Sequence, residues 1–444
     1  MSSDHERAVA VVTPRVVAIA DSDSYLKWSA ATLAALPADW QTEQWLIKNP
    51  IAPSEAQVGA ATGRPVDRLG LGQIANRLRR EPPDVVLLAA TGPVVQAVSS
   101  LRRLRHGLRR PVLVTGLPGI SYPASARAVE LRSGCDLFIL HSRREVSEFS
   151  ELADELGIKI DFALATLPFL ERTSEQAQPK GPELAEGPQP HPTHKIIFAA
   201  QAKVPAELQP RKEILRRFAT LPADRRVLIK LRALPGEQQT HREQLPYPEL
   251  WQELVQDEGY DADRVGFVAG SMADALADAD GFVTVSSTAA LEAIGAGVPI
   301  LILSDFGVSA EMINEVFVGS GCLGSLDDLD SGELHRPSAD WLRDNYFHDQ
   351  DDVDWVAKIG ELIQQRNGVG LADREVAGVG PLRLLRQRLR LVLPQPLLRA
   401  IGRAARASKR TRAGLRGTDS GSAVATPDDD VRATEDGRGV DPDA

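Results

Sequence analysis

Two blocks of short apolar runs, each run followed by a helical stretch, restrict this 444-residue chain to few architectures. From Pro14 onward the runs are RVVAIA, TEQWLIK, DVVLLAA, PVLVTG, CDLFILHS and IKIDFALA. After a break the pattern restarts with KIIFAAQ, RVLIKLR, RVGFVAGS, GFVTVSS, VPILILSD and VFVGSGCLGS. Short runs rich in β-branched residues suit strands covered on both faces, and their alternation with helices predicts parallel sheets flanked by helices. The break at 171–194, ERTSEQAQPKGPELAEGPQPHPTH, is too polar to pack and reads as a linker. The fold class is therefore α/β, with one unit over 14–170 and a second over 195–368. A single core seldom grows past about 250–300 residues, so two units also suit the length. Short-period repeats are absent, which argues against a solenoid.

The two cysteines, Cys135 and Cys322, each lie in an apolar segment, which predicts neither a disulfide framework nor a thiolate metal site and fits a reducing cytoplasm. The polar, acidic start MSSDHERAVAVV and the lack of any long apolar run predict neither secretion nor a membrane span. Charge is uneven. Residues 381–416 hold 11 Lys or Arg and no acid, the tail 417–444 holds eight acids and two arginines, and the body before them carries −15. Such a body repels nucleic acid. The Gly, Ser, Thr and Asp-rich tail is expected to be disordered.

The densest chemistry lies at 282–305, FVTVSSTAALEAIGAGVPILILSD. A strand there runs into three hydroxyl residues and then a helix. With Ser287 as the cap, Thr288 and Glu292 share one helix face with Gly295 beside them, while Ala290, Leu291 and Ile294 form the apolar face. Free backbone N–H groups and the dipole at such a helix start attract anions, and the hydroxyls add donors, so a phosphate is the natural guest. Glu292 is too deep to serve the cap, and its carboxylate can accept two hydroxyls from a vicinal diol such as a ribose. Gly295 and Gly297 permit close approach and end the helix. The plainer alternative is that Ser286 and Ser287 only cap a crossover helix and Glu292 is solvated.

The string SSTAALEAIGAGVPILIL resembles the donor-site segment of GT-B glycosyltransferases, especially the capsule-polysaccharide and CDP-glycerol transferase branches, and also a bacterial family described as glycosyltransferases. The resemblance implies two tandem Rossmann-like domains, the second binding the donor. It implies that Ser286, Ser287 and Thr288 hold the donor phosphate and that Glu292 holds the nucleotide ribose. Lys230 and Arg232 fall where those branches usually carry Lys-x-His-Pro; here Arg and Ala replace His and Pro. An arginine can grip a phosphate with two parallel hydrogen bonds, whereas a role for a titrating imidazole is lost. The other reading of this pair is solvated strand-end charge.

Further candidates flank this segment. Gln201 and Lys203 follow the first strand of the second unit and should face the same cleft, and Ser271 opens a helix in a region that lies against the base in GT-B proteins. In the first unit, Asp21 and Asp23 close a strand as cap, acceptor contacts or general base. TGLPGISYPA, with Tyr122, reads as an acceptor loop or a plain turn. His141 could take a proton from an acceptor hydroxyl near neutral pH, or be structural. In the basic segment Leu382, Leu385, Leu389 and Val392 form an apolar stripe, and Arg399, Arg403, Arg406 and Arg410 a cationic one. That pattern suits an anionic membrane surface, or a helix docking on the acidic body.

The sequence thus predicts a cytoplasmic, metal-independent glycosyltransferase, possessing no cofactor beyond its donor, with a peripheral place on the inner face of the plasma membrane as the alternative location. It would move a sugar from a nucleotide-sugar donor to a glycan or lipid-linked acceptor of the cell envelope. Catalytic candidates are Asp21, Asp23 and His141; donor-binding candidates are Gln201, Lys230, Arg232, Ser271, Ser286, Ser287, Thr288 and Glu292. The competing readings are a nucleotide-sugar epimerase of the same fold and a non-catalytic binding protein for glycan assembly. No Gly-x-Gly-x-x-Gly string opens either unit, which speaks against a dinucleotide dehydrogenase.

Overall fold

The computed structural model describes residues 13–49, 52–170, 194–201, 204–231, 244–377 and 380–392. Residues 171–193 of the expected 171–194 linker, Lys203, Arg232, the side chains of Leu382 and Val392, the arginines of 399–410 and the tail 417–444 lie outside the described residues.

Two parallel sheets form, as the alternating pattern predicts. The first holds β1 (Arg15–Ala20), β2 (Gln41–Ile47), β3 (Asp67–Leu69), β4 (Val85–Ala89), β5 (Val112–Gly116), β6 (Leu137–Leu140) and β7 (Asp161–Leu164), in the order β3-β2-β1-β4-β5-β6-β7. The second holds β8 (His194–Ala199), β9 (Arg225–Lys230), β10 (Val265–Val268), β11 (Gly281–Thr284), β12 (Ile300–Leu303) and β13 (Leu323–Gly324), in the order β10-β9-β8-β11-β12-β13. Each is a doubly wound, Rossmann-like sheet with helices on both faces, and the pair makes the GT-B arrangement.

The strand sequences explain their burial. Every residue of β4, β5, β6, β11 and β12 is buried, as a sheet covered on both sides requires. Val17, Ile19, Val86 and Leu88 point to one core of the first sheet, while Val16, Ala18, Val85 and Leu87 point to the other. This is the two-residue period of a strand. Each such Val, Leu or Ile, fully buried, contributes about 1.5–3 kcal/mol.

The chain passes between the two sheets more than once. Leu167 and Leu170, which follow β7, pack in a core of the second sheet. The helix Trp355–Asn367, which follows the second sheet, returns to the first and buries Trp355, Ile359 and Ile363 against it. Asp354 accepts the Leu164 N–H at 2.8 Å, and Arg366 pairs with Asp84 at 2.8 Å.

A buried carboxylate fastens the seam. Glu145 lies in the first turn of the helix Arg143–Glu155, where it accepts the N–H groups of Ser121 (2.7 Å) and His141 (3.1 Å). Tyr346, from the second half of the chain, donates its hydroxyl to the same carboxylate at 2.6 Å.

Candidate functional site

In each sheet the strand order reverses beside the first strand, between β1 and β4 and between β8 and β11. A crevice opens there at the carboxyl ends of the strands, because the helices on either side lead away in opposite directions.

At the second reversal, Ser286, Ser287 and Thr288 follow β11 and lead into the helix Ala289–Gly295. The helix starts one residue later than the sequence suggests: Thr288 occupies the cap position without a side-chain cap bond, and the Ser287 hydroxyl instead accepts the Ala289 N–H at 3.2 Å. The free first-turn N–H groups expected from the sequence are also corrected. Ala290 donates to Ser287 O and Leu291 to Thr288 O, each at 3.0 Å, because the short turn closes on itself. What is left unpartnered among the described residues is the Ser286 hydroxyl, on a residue only 3% exposed. Buried polar groups are almost always bonded, so this oxygen is a place for a ligand group or a water.

Lys230 ends β9, and its backbone lies in register with Ala199 at the end of β8. Its ammonium donates to Leu231 O at 2.9 Å and leaves two further donors. Burial pulls its pKa down, and the charge of Glu292 opposes that shift. Burial likewise pushes the Glu292 carboxyl up, opposed by the charge of Lys230. The two ends of this edge, distant in sequence, therefore sense each other electrostatically. Far from being solvated, Lys230 is 8% exposed.

Gln201 is half-buried beyond β8, and its carbonyl accepts a guanidinium N–H of Arg211 at 2.7 Å. Arg211 is 1% exposed and also donates to Pro205 O and Leu245 O, so it ties the crevice loop to the helix behind it. The sequence reading misses this residue, whose only local signal is an arginine among the apolar positions of its helix. Ser271 stands apart from the others as an exposed cap: its hydroxyl accepts the Asp274 N–H at 3.1 Å.

The first-unit candidates are differently placed. Asp21 is fully buried after β1, where its Oδ2 accepts both the N–H (2.9 Å) and the hydroxyl (2.5 Å) of Thr91 from the other side of the reversal. Its Oδ1 has no partner among the described residues, and burial raises its pKa. Asp23, in the first helical turn, pairs with Lys27 at 2.7 Å. His141 is 1% exposed: Trp28 donates its indole N–H to Nε2 at 2.9 Å, and Nδ1 lies 2.9 Å from Ala165 O. Burial holds its pKa down at about 4. A ring so enclosed braces three segments of the first unit and is poorly placed to meet an acceptor.

The loop 117–122 spans toward the second unit. A Cβ placed on Gly119 would lie 3.6 Å from the Thr288 methyl, so the hydroxyl turn faces this loop across the seam. Tyr122 beside it carries the Arg144 guanidinium 3.7 Å above its ring. Among the described residues no cluster of three or more His, Cys, Asp or Glu is placed to hold a metal.

The family described as "Putative glycosyltransferase (DUF6716)" matches residues 16–362. No curated protein matches the sequence. Among solved structures, the UDP-GlcNAc 2-epimerase of Methanocaldococcus jannaschii in complex with UDP-GlcNAc and UDP gives a TM-score of 0.49 at 12% identity, covering 78% of this chain and 99% of that one. The S. aureus MnaA-UDP co-structure gives 0.49 at 13% identity, covering 77% and 91%. The lipopolysaccharide outer core galactosyltransferase WaaB, in its apo form, gives 0.45 at 12% identity, covering 79% and 99%.

Proposed function

The chain belongs to this DUF6716 family, and from that membership we propose an enzyme that binds a nucleotide sugar at the second reversal and moves its sugar to an acceptor. The observation that carries the reading is the unpartnered, buried Ser286 hydroxyl on the same strand edge as the Lys230 and Glu292 charges. Ser286, with the exposed Thr288 hydroxyl, would donate to the diphosphate. Glu292 would accept the ribose hydroxyls.

Lys230 gives the site its chemistry. A nucleoside diphosphate gains negative charge as its bond to the sugar breaks, and a partly buried ammonium at that point stabilises the departing group more than the intact donor. The Glu292 charge opposes the desolvation that pulls the Lys230 pKa down. Of the three first-unit candidates Asp23, paired with Lys27 at the start of its helix, would be the base, while Asp21 and His141 fit positioning roles.

An epimerase is the second reading, and one observation favours it. Asp21 and His141, two of the three bases expected to activate an acceptor, are buried and engaged; a reaction without an acceptor does not need them. Incubation with a panel of UDP-, GDP-, TDP- and CDP-sugars separates the readings. A glycosylated acceptor supports transfer, release of the sugar epimer supports epimerisation, and binding without turnover supports the non-catalytic alternative. Failure to bind any nucleotide of the panel contradicts the seat itself.

A further inference from the structure

The helix Pro381–Val392 does not dock through Leu385 or Leu389, the two members of its apolar stripe whose side chains are described. It lies on the first unit through Gln387, whose amide donates to Gln96 at 2.9 Å, through Arg388, which donates to Ser100 O at 2.7 Å, and through Leu391, which packs on the core. That face leaves Leu385 and Leu389 outward, 53% and 40% exposed. The approach to the helix is fixed by a buried ion network: Arg110 and Asp136 pair at 2.7 Å, each side chain 1% exposed, and Arg374 joins the same carboxylate at 2.6 Å. Ala377 then donates to the Ser133 hydroxyl at 2.8 Å. The contacts of Gln387, Arg388 and Leu391 therefore turn Leu385 and Leu389 outward.

The helices that meet here carry basic charge and no acid of their own. The helix itself carries four arginines, the neighbouring helix Leu71–Arg80 carries three and the short helix Arg102–Arg105 three more, with no acid in any of them. Among the described residues of these helices, Arg77 is the one engaged with carboxylates, those of Glu43 and Asp67. The Arg105 charge lowers the pKa of Arg388, second to the effect of burial, so the clusters adjoin. The chain after Val392 adds a further seven basic residues before position 417 and no acid.

We propose that this face docks on an anionic lipid surface, with Leu385 and Leu389 entering the headgroup boundary and Arg386, Arg102 and Arg103 meeting lipid phosphates. Outward leucines beside Arg386, Arg102 and Arg103, which meet no carboxylate among the described residues, are what separate this from a nucleic-acid surface, since a phosphate backbone offers leucine nothing. The acidic remainder of the body orients the molecule, basic face toward the membrane. This inference is independent of the nucleotide seat.

The test is cosedimentation of the full chain with vesicles of phosphatidylcholine alone or mixed with phosphatidylglycerol, with unchanged thermal melting as the folding control. Binding should need the anionic lipid and weaken with salt. Leu385→Ser with Leu389→Ser should lower it by about tenfold or more, and Arg386→Gln, Arg102→Gln and Arg103→Gln by roughly fivefold each. Equal binding to neutral vesicles, no binding to either, or affinity unmoved by these substitutions overturns the proposal. So does binding to double-stranded DNA as tight as to anionic vesicles and insensitive to the leucine changes.

Discussion

Lys230 and Glu292 stand on opposite sides of the β8–β11 reversal, and each opposes the pKa shift that burial imposes on the other. Glu292 holds its proton more tightly in the folded protein than in the unfolded chain. Its contribution to stability is thus full below the unfolded carboxylate value, about 4.3, and is lost as pH rises through the higher folded value. A nucleotide whose ribose bonds the ionised carboxylate should bind more tightly as pH rises across that same window. Titration calorimetry of wild type and Glu292→Gln at successive pH values checks this: the wild type should show the rise and the variant should not.

His141 predicts the opposite slope. Its folded pKa of about 4 lies below the ordinary histidine value, so the stability it provides is present above about pH 6.5 and is lost as pH falls toward about 4, up to roughly 3 kcal/mol. Urea unfolding across this range should show the loss in wild type and much less of it in His141→Gln.

The Trp28 side chain that donates to His141 lies over Gly116, where a Cβ would come within 2.3 Å of the indole ring. Gly116→Ala should therefore cost about 1–3 kcal/mol through overpacking. Thermal melting measures this, and an unchanged midpoint would mean the indole has room to move.

Tyr346→Phe removes the seam hydroxyl and leaves Glu145 short of one donor while still buried. A destabilisation of about 1–3 kcal/mol is expected. Hydrogen exchange should rise first around Ser121 and the start of the helix Arg143–Glu155.

Much of this is legible in the sequence because parallel strands are short, apolar and local. Where those properties fail, so does the reading. The three-residue β3, Asp-Arg-Leu, has no apolar run to reveal it. The VFV string expected to start the last strand instead closes as the turn Glu315–Phe317, and the strand is the two residues Leu323–Gly324. Lys230 and Glu292 can be assigned to one cleft from their positions at strand ends. The Glu145–Tyr346 bond joins residues 201 apart, and neither carries a local signal of its partner. The leucine stripe of 382–392 is visible, but which face docks depends on Gln96 and Ser100 nearly three hundred residues earlier, and no periodicity encodes them.

The most direct test of the nucleotide seat is calorimetric binding of UDP, GDP, TDP, CDP and CMP to wild type and Ser286→Ala, with the melting temperature of each protein measured alone. Because the Ser286 hydroxyl has no partner among the described residues, its removal should leave stability unchanged or slightly raised while weakening the bound nucleotide by about three- to tenfold. Equal affinity for every nucleotide in both proteins, or loss of stability without loss of affinity, would contradict a phosphate seat at this hydroxyl.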